Sequence, residues 1–212
     1  MVETITPVVH GGNRNRWVVS VLVHAAGATA AAAVFGSLLA AAGALLGAPW
    51  GVPGVALVAA SAGLYVARGP GDALPVPQAR TRVAAWRPTG FPRRAAAWLD
   101  GVGLGPGTLT YLGHGTPVVV SVAAVASGHP LVGAALLAQF GLVRGLGPVL
   151  AFGVRSPSDG AALVDRLGRS ASRGRWRLAN GVALVAVLVA ALSTLGTVDD
   201  RSDVGALAGA AL

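Results

Sequence analysis

Few side chains in this chain could do chemistry. There are four histidines, His10, His24, His114 and His129, and one arginine, Arg144, alone in an otherwise uncharged stretch from Gly101 to Val154. Thr108, Thr110, Tyr111 and Thr116 cluster around His114 in sequence. General acid–base work calls for paired carboxylates, and the apolar stretches hold none. The histidines lack the spacing of a zinc site, and no HExxH is present. The absence of cysteine excludes disulfides, thiolate metal sites and a dithiol relay on this chain. Neither an enzyme nor a metal or cofactor is expected. What remains is recognition, with a guanidinium and an imidazole set among apolar residues.

The composition says what kind of scaffold must hold them. Of 212 residues, 54% are hydrophobic and 11% charged, far below the roughly 25% charge of a soluble domain. A membrane protein is expected. All 16 basic residues are arginine, which with the abundant Ala, Gly and Val suggests a GC-rich bacterial genome. The net charge of +8 falls between apolar runs, so anionic lipid headgroups rather than nucleic acid are the expected partner.

The chain divides into a polar N-terminal segment 1–16, a transmembrane domain 17–198 and an acidic tail 199–212. The run from Trp17 to Leu46 is about twice the longest usual signal-peptide core and reads as a retained first helix. Further spans are expected at 50–67, 101–127, 130–154 and 178–198. Between them, 68–99 and 155–177 each carry six arginines. The first of these loops interleaves Trp86, Phe91 and Trp98 with arginine and holds five prolines, so it reads as an interfacial segment on headgroups. In the second, Ser158 is expected to cap a short surface helix, with Asp165 and Arg169 paired at i, i+4.

Arginine-rich segments alternate with the uncharged turns 47–49 and 128–130. The positive-inside rule then gives an all-α polytopic bundle of five spans in the bacterial inner membrane, N-terminus in and C-terminus out. The hairpin 101–154 is expected to organise it. None of the five spans so drawn contains Asp, Glu or Lys, which counts against a proton- or cation-coupled transporter.

Polar groups expected at depth are Ser20, His24, Thr29 and Ser37 on the first span, the Thr108–Thr116 cluster on the third, and Gln139 and Arg144 on the fourth. In that arrangement His114 and Gln139 lie at about the same depth, roughly 20 Å from the inner surface. Arg144 lies level with Thr108 and Thr110. These five residues could line a polar cavity for an anionic or polar substrate. In the other reading, Arg144 snorkels to the inner headgroups and His114 with Gln139 ties two helices together. Gly105, Pro106 and Gly107 make the start of the third span a candidate for broken backbone, and Pro117 for a kink. Gly103-x-x-x-Gly107 and Gly141-x-x-x-Gly145 read as close-packing faces, through which other membrane proteins are the possible partners.

From about Leu74 to Phe152, the Pro-Gln and Trp-Arg loop, the glycine-rich helix with Leu-Thr and the helix carrying GLVRGL resemble transmembrane proteins of the CcdA and DsbD type. The resemblance implies six helices in two inverted halves, moving reducing equivalents outward for cytochrome c biogenesis through a buried cysteine pair. Both cysteines are missing here, so no catalytic residue carries over. A cysteine-free relative would serve as an accessory in thiol or cytochrome c biogenesis or as a small-solute carrier. The alternative is a structural membrane subunit without transport.

Overall fold

The computed structural model describes residues 6–67, 91–106, 115–171 and 181–191, and these contain helices and turns but no strand. The helices are α1 (Arg14–Leu45), α2 (Val52–Ala67), α3 (Arg93–Leu104), α4 (Thr116–Ser127), α5 (Pro130–Gly145), α6 (Pro157–Ala171) and α7 (Gly181–Ala191). Short 3-10 segments run over Val8–His10 and Gly147–Gly153. Two helical stretches, Arg14–Leu45 and Pro130–Gly153, are long and apolar enough to cross a membrane.

The bundle is built around α1, not around the hairpin 101–154. Its buried positions, Trp17, Val21, His24, Ala28, Ala32, Gly36, Ala40 and Gly43, recur every three or four residues and are mostly small. Small residues let backbones meet. A methyl group on Gly36 would overlap the carbonyl of Gly133 on α5, and one on Gly43 would overlap that of Val125 on α4. Gly141 lies on Ala28 and Gly145 on Ala25, so α5 runs antiparallel to α1. On another side of α1, Gly101 meets His24 and Gly105 meets Ala28 and Ala31, so α3 runs parallel to it. α7 completes the bundle by burying Leu184 against Ala62 of α2 and Val119 of α4.

Local chemistry sets the ends. Asn13 accepts a hydrogen bond from the Arg16 amide at 3.1 Å and starts α1. Pro106 has no amide for the carbonyl of Val102, and α3 stops at Leu104. Pro117 falls in the first turn of α4, where its missing amide costs nothing, so it begins a helix instead of kinking one. Gly128 closes α4 at φ 62° with its Cα against the Ala48 backbone, a place closed to other residues on both counts. Pro148 likewise ends α5, and the expected span 130–154 finishes in 3-10 turns.

Two further sequence expectations change. α3 begins at Arg93, inside the segment read as interfacial, because Arg93 and Arg94 stay exposed while Ala97, Gly101 and Leu104 form a buried stripe on α1. The cap of α6 is Ser156 and not Ser158: Ser156 Oγ accepts from the Asp159 amide at 3.1 Å, and Asp159 Oδ2 accepts from the Ser156 amide at 2.9 Å. The N-terminal segment is folded onto α1, with His10 buried. The Asp165–Arg169 pair forms as expected on the exposed side of α6.

Candidate functional site

Of the residues singled out from sequence, Gly107, Thr108, Thr110 and His114 lie outside the described residues. The expectation that they line a cavity falls there too. Gly105 is buried against Ala28, and Pro106 follows it in the turn that ends α3. Gln139 is exposed, on the opposite side of α5 from the buried Leu137 and Gly141. It does not join the interior of the described bundle.

Arg144 is half-buried, with its guanidinium carbon 5.7 Å from the centroid of the Phe140 ring one turn earlier. Because Gly145 packs on Ala25, Arg144 stands at the level of residues 24 and 25 of α1. Below it, Trp17 packs on Phe152 with ring centroids 5.8 Å apart, and Arg14 sits 5.1 Å from the same ring. α1 and the end of the Pro130–Gly153 stretch are thereby held together at the arginine-rich end. His10 bridges to the same end of α1: its Nδ1 lies 2.9 Å from the Thr6 carbonyl and its Nε2 2.8 Å from Ser20 Oγ.

One polar centre lies at the level of Arg144 on α1. His24 is 1% exposed, the most deeply buried polar side chain among the described residues. Its Nδ1 is 3.2 Å from the carbonyl oxygen of Ala97 on α3. A carbonyl only accepts, so Nδ1 carries the hydrogen, and in the neutral ring Nε2 holds the lone pair. That Nε2 is buried and has no hydrogen-bond partner among the described residues. Asp100, three residues beyond Ala97 and half-buried, shares that side of α3 and lies within electrostatic reach of the ring.

Sequence reasoning missed this pairing because charge was used to delimit the spans. With the third span opened at Gly101, Asp100 fell outside it. The signal was present: Ala97, Gly101 and Leu104 form one apolar face that already includes the turn carrying Asp100. α1, α3 and α5 thus bring an imidazole, a carboxylate and a guanidinium to one level of the bundle.

The third segment is also divided. α3 ends level with Ala28 to Ala32, and α4 starts at Thr116, beside Gly115, which packs under the Tyr65 ring of α2. Since Val125 meets Gly43, Thr116 lies roughly 13 Å lower, near residue 34 of α1. The facing ends of the two helices are therefore separated by roughly 5 Å along α1. Comparison with protein-family models, curated proteins and solved structures finds no match to this chain, so any role assigned to the site stands on its geometry.

Proposed function

We propose that this is a multi-pass bacterial inner-membrane protein, without catalytic chemistry, that carries a small anionic or polar solute past its divided third segment. The single observation that carries the reading is the inverted packing of the bundle. Most of its buried positions are Ala and Gly, with Trp17, Val21, Leu104, Val119, Leu137 and Leu184 among the few large ones, while Leu22, Val34, Leu38, Leu131, Val143 and Leu150 are exposed. In water those large side chains belong inside, and a bundle that turns them outward suits lipid.

Orientation has support of the same kind. Arg14, Arg16, Arg93, Arg94 and Arg155 belong to one end of the bundle, and the turns 46–51 and 128–130 at the other carry no Asp, Glu, Lys or Arg. The arginine end faces the cytosol in this reading, with α6 on anionic headgroups. Five spans follow, α3 and α4 together making the third. Counted along α1 from Trp17, His24 and Arg144 then lie about 10 to 12 Å inside the membrane. Ionisable residues at that depth are costly and mark substrate or ion paths in many membrane proteins.

The resemblance to CcdA and DsbD proteins enters on the same terms. With no cysteine to carry reducing equivalents, a relative of that group would move a solute instead. Full-length protein in liposomes of mixed anionic and neutral lipid should take up labelled sulfate, phosphate or glutathione. Arg144→Ala should abolish the uptake at unchanged membrane abundance. Loss of abundance alone would point to a packing role.

A second reading, a structural subunit, is favoured by one feature. α2, α4 and α7 border an apolar cleft of about 320 Å³ lined by Gly51, Gly54, Val58, Ala123, Ala126 and Ala191. Small residues there leave room for a few side chains projecting from a helix of another membrane protein. Crosslinking from Ala126 to a copurifying membrane protein, with no uptake of any solute, would establish it.

A further inference from the structure

We propose that His24 on α1 and Asp100 on α3 form a proton-binding site, which makes the carrier described above proton-coupled. The inference rests on that carrier reading for its role, though not for its chemistry. The binding atom is His24 Nε2. Its ring partner Nδ1 is committed as a donor to Ala97, and Nε2 faces no donor or acceptor among the described residues. A bundle whose buried positions are mostly apolar has no packing need for an imidazole, since Leu or Phe fills similar space without an unpaired nitrogen.

Asp100 supplies what a protonated ring requires. It lies one turn from Ala97 on the same side of α3, and the next residue, Gly101, has its backbone against the His24 carbonyl. A proton from water binds Nε2, the imidazolium is neutralised by the Asp100 carboxylate, and the same proton returns to water when the site opens to the other side. Imidazole is the side chain that makes this exchange near neutral pH. Of the other charged or titratable groups near this level of α1, Arg144 belongs to α5, with its guanidinium over the Phe140 ring, and His10 lies one turn lower, bonded to Ser20. α4 contributes none. Arg144 stands at the same level of α1 on another helix, where its positive charge would draw an anionic solute to that depth.

The test uses full-length, ¹⁵N-histidine-labelled protein in lipid nanodiscs, with the His24 signals identified by their loss in His24→Gln. The proton site requires an Nδ1–H tautomer that converts to the doubly protonated ring between about pH 5 and 8. Asp100→Asn, which keeps the ring, should lower the midpoint by removing the negative charge that favours the imidazolium. An Nε2–H tautomer, a ring that does not titrate in that range, or a midpoint indifferent to Asp100→Asn overturns the proposal. Sulfate uptake into liposomes, with and without an imposed pH gradient, keeps the two readings apart. Uptake that ignores the gradient removes the coupling and leaves the carrier. Absence of uptake of any probe, with His24 titrating as described, removes the carrier and leaves the proton site.

Discussion

Gly36 of α1 and Gly133 of α5 meet backbone to backbone, each so close that a methyl group on one would enter the carbonyl of the other. The contact is the narrowest part of a seam that continues through Ala32 and Gly141 to Ala25 and Gly145. Interior volume is so small here that no side chain can yield. Gly36→Val should therefore lower unfolding free energy, read by SDS titration in mixed micelles, by at least about 2 kcal/mol. Gly63, on α2 with open space around it, is the control. Gly63→Ala should be neutral or stabilise by up to about 1 kcal/mol through helix propensity; equal losses at both positions would show that the seam is not the tight contact described.

Replacing His24 separates stability from function. His24→Ala empties a buried site and should cost about 2 to 3 kcal/mol. His24→Leu refills it and removes the unpaired Nε2, so stability should hold or rise by about 1 kcal/mol. Transport should be lost in both. A Leu variant as unstable as the Ala variant would mean that the ring is held for its hydrogen bond to Ala97.

Arg144 and Phe140 can be ranked by substitution. Arg144→Lys keeps a charge but loses the planar fork, and should keep a minority of any sulfate uptake that Arg144→Ala abolishes. Phe140→Leu removes only the ring beneath the guanidinium, worth about 1 kcal/mol at a half-exposed position. Uptake unchanged in Arg144→Ala would assign the arginine to headgroups.

The reciprocal Ser156–Asp159 cap gives α6 a pH dependence. The Arg155 amide, chiefly, and the Ser156 hydrogen bonds hold the Asp159 carboxyl below its ordinary value. A lowered folded value means that the cap contributes fully above the unfolded value and is lost as pH falls through the folded one. Amide exchange at Arg155 and Ser156 should accelerate only below the usual carboxylate range, and Asp159→Asn should abolish that transition. Ser156→Ala should weaken the first turn by about 1 kcal/mol at any pH.

The sequence by itself determined the elements that follow from local rules. Apolar length marked α1 and the Pro130–Gly153 stretch, i, i+4 spacing marked Asp165 with Arg169, and Gly105 with Pro106 marked a break in the helical backbone. Each depends only on neighbours along the chain, so each was legible without coordinates. Tertiary packing decided which helix lies at the centre, that α3 starts at Arg93, that Gln139 turns outward, and that Asp100 stands near His24. Those outcomes depend on which backbones approach closely enough to touch. In a chain with 31 glycines, many pairs could do so in principle, and only the summed fit of α3, α4 and α5 against one helix selects among them.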